Sequence, residues 1–477
     1  MPDLSIGDKA LNRKLTVREK IGYGSGSVGD AIAYDFVVGF LLFFLTEIAG
    51  INPALAGTII LVAVLWDAIT DPLIGLWSDR TKCKYGRKRP FLLGSAIPLG
   101  LAMVFLFSDV QIEGIAKGVY YIILAMIFWT AYTAFNIPYF ALGGCITLNA
   151  EERTKIRSIA QSFNFIGVFC ASAVPTFLIS RFKASGSTDA QAWQYAVIVI
   201  AAIAAITILI SWRGTRGQEL IIEDEETAIK GNLFKEIWEI MQIKPYRNVI
   251  LANLLFYMTY TISTSSILFY VQYHLGKGEG EASIIYTGIT IAGIVVALSL
   301  GPLGVKFDKR MVYIACCIIA GVIMIGAKFV VMGTLAATLI YCMLFNIGSA
   351  GHWTLSYTLL YDVFEFDDLK NGRRREGMLM SYFSFCGKIG GALAGQISGL
   401  LLYWGGYNAT FGMNQTPEAM NTIKTLFTVF PGILSILCGV VIILYPITRE
   451  KHALILEKLE LKKAGKPYTI EGLEKLL

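Results

Sequence analysis

Charge is what this sequence has least of. Asp, Glu, Lys and Arg make up 16% of its 477 residues, where a soluble domain of that length carries roughly a quarter. Two kinds of motif are missing as well. No Walker-type phosphate loop and no His-Glu-x-x-His occur, which argues against an ATP-driven pump and a zinc enzyme. The eight cysteines (83, 145, 170, 316, 317, 342, 386 and 438) have no metal-ligand spacing and lie mostly in apolar runs. They read as buried apolar residues. The opening stretch "MPDLSIGDKALNRKLTVREK" has no apolar core, so no cleavable signal peptide is expected. "GSGSVG" at 24–29 matches the dinucleotide-binding spacing, but no strand precedes it and an apolar span follows. Close helix packing is the rival use of such small residues. No cofactor and no enzymatic activity are expected.

Apolar residues are plentiful. They form 55% of the chain, and the mean hydropathy is +0.59. Runs near twenty residues recur from end to end, the length a hydrocarbon core demands of one helix. Twelve spans are expected, near 29–48, 56–78, 91–110, 118–143, 158–180, 192–212, 246–273, 283–305, 311–332, 335–361, 377–405 and 423–447. The chain therefore reads as an all-α polytopic membrane protein. Residues 1–212 would form an N-terminal six-helix bundle and 246–447 a second one. Between them, 213–245 reads as a cytoplasmic linker whose "NLFKEIWEIMQI" is amphipathic and suits a membrane surface. Residues 448–477 form a cytoplasmic tail that faces solvent or lipid.

Lys and Arg are distributed unevenly. Of 41, the termini and the loops on their side hold 34, the opposite loops hold 6, and Lys388 lies inside a span. The positive-inside rule places both termini in the cytoplasm of a cell that carries the chain in its inner membrane. The net charge of +6 is then a consequence of topology, and no nucleic-acid partner is expected.

Against this background the few intramembrane polar residues stand out. "WDAITDPLIG" carries Asp67 and Asp71 one helical turn apart, with no Lys or Arg before Arg80. Two such charges repel unless a cation or proton lies between them. In "WTAYTAFNIPYFAL", Thr133 and Asn136 lie one turn apart and Pro138 frees a backbone carbonyl. Hard oxygen donors for a small cation are one reading, and a Pro-kinked helix with self-satisfied polar groups is the other. Asp30, Asp35 and Lys388 are further intramembrane charges, which normally face a bundle interior or a watery cavity. Trp353 is a candidate wall of that cavity or a packing residue. "GLWSDRTKCKYGRKRP" brings Asp79, Arg80 and Arg87 to a basic turn, and "GPLGVKFDKR" echoes it at the same place in the second half. That recurrence points to an internal repeat, the usual build of secondary transporters. "YDVFEFDDLKNGRRREG" adds Asp362, Glu365, Arg374 and Arg375. These charged ends are candidate gating pairs or ordinary solvated loops.

With "WDAITDPLIGLWSDRTKCKYGRKRPFLL", "NIPYFAL" and "YDVFEFDDLKNGRRREG", the chain resembles the glycoside–pentoside–hexuronide:cation symporters, the melibiose-permease-like branch of the major facilitator superfamily. The resemblance runs over all twelve spans and implies the major facilitator fold of two six-helix pseudo-repeats. It implies a cation site of Asp67, Asp71 and Thr133, with Asn136 where the family has a third aspartate. One charge fewer leaves the coupling ion open between Na⁺ and H⁺. At the family's sugar-site positions this chain has Ala31, Phe140 and Gln161, all departures. Asp30 or Asp35 is the candidate replacement for the first, Asn164 lies one turn beyond Gln161, and Asn136 is a candidate solute contact as well as a cation ligand. Trp353 and Lys388 match. The α-galactoside specificity of melibiose permease is therefore not expected.

A less negative cavity that keeps Lys388 favours an anionic solute such as a hexuronide, a glucuronide or a sulfonated sugar. The rival is a neutral glycoside or a bulkier amphipathic solute, given Tyr139 and Phe140. The expectation is symport of a small solute by alternating access, carried out by a monomer in membrane lipid. The alternative is an uncoupled facilitator or exporter.

Overall fold

The computed structural model describes residues 14–81, 83, 85–147, 150–219, 238–330, 332–371, 376–463 and 467. Fourteen α-helices lie wholly within them. The first six are α1 (Val17–Phe43), α2 (Pro53–Arg80), α3 (Arg89–Leu106), α4 (Ile115–Cys145), α5 (Ala150–Ala184) and α6 (Asp189–Gly214). Then follow α7 (Lys244–Tyr273), α8 (Glu279–Lys306), α9 (Lys309–Gly326), α10 (Leu335–Asn371) and α11 (Glu376–Trp404). The twelfth span consists of α12 (Pro417–Phe427) and α13 (Val429–Ile443), and α14 (Arg449–Lys463) lies beyond it. Among the described residues, twelve helical stretches are long and apolar enough to cross a bilayer, as the hydropathy pattern predicts.

Several helices outrun their apolar runs because local chemistry sets their ends. α1 starts twelve residues before the expected 29, where Thr16 and Glu19 form a reciprocal capping box. Asn52 caps α2 with Pro53 in its first turn, and Thr188 with Gln191 caps α6. "GSGSVG" is thus interior helix. A side chain at Gly26 would lie 2.4 Å from the Tyr139 ring, and one at Gly22 would lie 2.7 Å from the Gly214 backbone. These absent side chains let α1 lie close to α4 and α6. Apolar helices gain little from hydrophobic association within lipid and depend on such close contact.

The chain separates into two compact units. The first contains residues 1–224 together with 267–290 and 395–419. In it α1 packs against α5 and α6, and α2 and α3 each pack against α4. Its aromatic centre gathers Phe43, Phe44 and Phe107 around the fully buried Trp193. The second unit contains 225–266, 291–394 and 420–477. Here α9 packs between α10 and α13, and α14 lies on α10. Buried tyrosines reach across helices, Tyr246 donating to the Leu379 carbonyl and Tyr445 to that of Leu359. Of the amphipathic linker segment, 232–237 lies outside the described residues. Ile240 and Ile243 join this unit's core, while Trp238 is exposed.

Candidate functional site

Two polar clusters lie inside the first unit, both built on α4. In the first, α2 presents Asp67 and Asp71 on one face, one turn apart. Thr133 of α4 sets its hydroxyl between them, hydrogen-bonded to Asp67 Oδ1 and 2.9 Å from Asp71 Oδ1. Asp67 and Thr133 are fully buried and Asp71 is half-buried. One turn along, Trp66 Nε1 donates to Thr130 Oγ1 at 2.9 Å and fixes the register of the two helices. A hydroxyl has one hydrogen, so it can donate to only one of the carboxylates at a time. The other oxygen–oxygen approach calls for a proton on a carboxyl or a cation shared among the three oxygens. Pro72 and Pro138 sharpen the arrangement. Each lacks the amide that would bond a carbonyl four residues earlier, those of Ala68 and Ala134. Hard oxygen donors are the chemistry that a small, hard cation requires.

In the second cluster, α1 contributes Asp30, which is 7% exposed. Asn136 Nδ2 donates to Asp30 Oδ1 at 2.6 Å, and the Tyr132 hydroxyl donates to the same oxygen at 3.1 Å. Asn136 Nδ2 also donates to that hydroxyl at 3.0 Å. The two N–H bonds of Asn136 are thereby used within the Asp30 cluster. The sequence offers Asn136 both to the cation cluster and to the solute site with Asp30, and its Nδ2 lies on Asp30.

A third feature was not singled out from the sequence. Arg157, on α5, holds its guanidinium 5.2 Å over the ring of Phe140, which is 40% exposed. Arg157 is itself exposed. It precedes Gln161 by four residues and so shares a helix face with it. In the sequence it belongs to the charged run "EERTKIR", and its place one turn before Gln161 is the signal that marks it. Gln161 is exposed, and Asn164 and Asp35 are half-buried.

In the second unit, Trp353 is 41% exposed and stands edge-on to Phe256, Tyr257 and Tyr260. Lys388 is half-buried on α11. Its flanking glycines explain the composition of that helix. A side chain at Gly387 would lie 2.7 Å from the Tyr257 ring, and one at Gly390 would lie 2.5 Å from the Leu254 carbonyl oxygen. α11 therefore lies close on α7.

The expected gating residues make several polar contacts among the described residues. Glu219 accepts from the backbone amides of Arg87 and Lys88, both at 2.9 Å, in a turn where Gly86 has φ +106°. A side chain at Gly86 would meet this carboxylate at 2.0 Å. Arg80 is exposed. Asp362 accepts from Lys309 Nζ at 2.6 Å, and Glu365 lies 2.5 Å from His452 Nε2. His452 had no motif to mark it. The Asp79 side chain and Arg374 and Arg375 lie outside the described residues.

Comparison with known proteins agrees with the fold. The model of the family described as "MFS/sugar transport protein" matches residues 22–449. The protein named "Uncharacterized symporter YjmB" of Bacillus subtilis (strain 168) is 29% identical, covering 94% of this chain and 96% of its own length. The "Putative sulfoquinovose importer" of Escherichia coli (strain K12) is 28% identical, covering 95% and 96%. Among solved structures, a bacterial homolog of the human lysosomal transporter Spinster superposes with a TM-score of 0.68 at 12% identity. That match covers 93% of this chain and 99% of the other. The twelve-helix architecture and the match over nearly its whole length establish that the chain belongs to the MFS/sugar transport family, as a multi-pass membrane transporter and not an enzyme.

Proposed function

We propose that the protein imports a sugar-type solute in symport with Na⁺ or H⁺, by alternating access. The observation that carries this reading is the convergence of Asp67, Asp71 and Thr133 on one spot inside a bundle of a sugar-transporter fold. A cation bound there would relieve the repulsion between the two carboxylates. It would thereby favour the conformation in which solute binds, which is the thermodynamic content of coupling. Relatives named as symporters support a coupled mechanism. The solute is an anionic sugar, such as a hexuronide, a glucuronide or a sulfonated sugar. Support comes from Lys388 and from the exposed guanidinium of Arg157, from the pairing of Asn136 with Asp30, and from a relative named as a sulfoquinovose importer. Excess Lys and Arg on the side of the termini supports an inner-membrane protein with both termini cytoplasmic. It would work as a monomer surrounded by lipid.

Uptake into proteoliposomes decides the matter. An inward Na⁺ gradient or a pH gradient should drive a labelled glucuronide above its equilibrium level. Arg157→Gln should depress uptake of the glucuronide more than that of a neutral glycoside. If accumulation never exceeds equilibrium under either gradient, the protein is an uncoupled facilitator. Equal losses for both solutes would remove the anionic assignment.

A further inference from the structure

The helix after the twelfth span is polar in sequence yet docked along one face. In "REKHALILEKLELKK", His452, Ile455, Leu459 and Lys462 recur at helical spacing. Ile455 and Leu459 are buried in the same apolar cluster as Leu355 and Leu369 of α10. Polar contacts hold both ends. The Arg449 amide donates to Asp308 Oδ2 at 3.4 Å, and Lys462 Nζ donates to the Asp368 carbonyl oxygen. Lys462 also lies 3.7 Å from the Asp368 carboxylate.

His452 sits at the first buried turn of this face. Its Nε2 is 2.5 Å from Glu365 Oε2 and 3.1 Å from Asp362 Oδ1. A ring nitrogen that faces two carboxylate oxygens must carry a hydrogen. Charge then distinguishes the two forms of the ring. Asp362 is 2% exposed, its Oδ2 has no hydrogen-bond partner, and Lys309 Nζ lies 2.6 Å from its Oδ1. With a neutral imidazole, two carboxylates face one ammonium. With an imidazolium the cluster is neutral, the condition that burial of charge favours. A divalent cation would instead have to sit beside the Lys309 ammonium.

The groups around His452 are Asp362 and Glu365 from α10 and Lys309 from α9. Asp368 and Asp308 are engaged with Lys462 and Arg449 at the helix ends. The hydrogen bond to Glu365 raises the His452 pKa above its ordinary 6.5, burial opposes this, and Asp362 adds to the rise. A group whose pKa is raised in the docked state favours docking fully below its free value. That contribution fades as pH climbs through the raised one.

We propose that α14 is a proton-sensitive clasp. It is docked on α9 and α10 while His452 is an imidazolium, and it is released when that proton leaves. Release frees the Glu365 carboxylate and leaves Asp362 to Lys309 alone, so the charge available on α10 depends on the pH on that side of the membrane. The inference is independent of which ion is coupled to transport, since none of its residues belongs to the Asp67 cluster.

A nitroxide spin label at Glu457→Cys, an exposed position on α14, reads the clasp in the full-length protein with Cys83→Ser. The label should be immobile at about pH 5.5 and mobile at about pH 9, with a midpoint above the ordinary histidine value. His452→Gln should leave it mobile at both. Glu365→Gln should move the midpoint downward, because it removes the principal cause of the raised value. An immobile label at about pH 9, or an unchanged transition in His452→Gln, would overturn the proposal. Tryptophan fluorescence unchanged over the same range would confirm that the bundle itself stays folded.

Discussion

Two carboxylate clusters share one helix bundle and meet different side chains of α4. Asp30 receives two donors on one oxygen, from Asn136 and Tyr132, and all three belong to the protein. Asp67 and Asp71 both meet the single hydroxyl of Thr133. The first cluster has its hydrogen bonds supplied from within, as buried charge demands. The second gathers two carboxylates around one hydroxyl, the arrangement on which the proposed cation site rests. Within one short stretch of α4, Thr133 and Asn136 therefore meet different carboxylates.

The largest effect should come from Asp67→Asn. Replacing the fully buried carboxylate removes one of the two charges that a cation would neutralise. Gradient-driven accumulation should fall by about 100-fold, the upper part of the usual coupling range. Exchange of solute at equal concentrations across the membrane should survive. Accumulation at the unmutated rate would place Asp67 outside the site.

Asn136→Asp asks which cluster position 136 serves. A carboxylate there would face Asp30 at hydrogen-bonding distance and remove its closest donor. Folding should weaken by about 2–3 kcal/mol, read as a lower thermal midpoint. Asp30→Asn in the same chain should recover much of that loss. A gain in Na⁺ affinity without loss of stability would return position 136 to the cation cluster.

Thr133→Ala removes the shared hydroxyl and should weaken cation affinity by about tenfold, while Thr133→Ser retains it. Titration of solute binding against Na⁺ or pH measures both. Tyr132→Phe should have the smallest effect. It takes one of two donors from Asp30 and should cost about 1 kcal/mol of stability, with cation dependence unchanged. If Tyr132→Phe changed the cation dependence as much as Thr133→Ala, the two clusters would be one functional unit.

Much of this was legible in the residues, and the limits have physical causes. Twelve spans follow from hydropathy, because lipid leaves the backbone no alternative to helix over some twenty apolar residues. Asp67 and Asp71 are conspicuous because charge is scarce around them. Asn136 carried no such mark of its own. An amide accepts and donates, so its type does not say whether it turns toward a cation or toward a carboxylate. Arg157 was hidden by its neighbours, since "EERTKIR" reads as loop charge until α5 is seen to begin at Ala150. His452 lay in a tail that composition alone describes as solvated.

By itself the sequence determined the number of spans, the crowding of α1 and α11 through glycine, and the presence of an aspartate pair within α2. Each depends on contacts close along the chain or on solvation of a single segment. Tertiary structure alone decided the partners. Thr133 meets Asp67 and Asp71, Asn136 meets Asp30, Arg157 covers Phe140, and His452 reaches Asp362 and Glu365. Those pairings depend on which faces of separate helices meet, and a rotation of one helix by a single residue would exchange them.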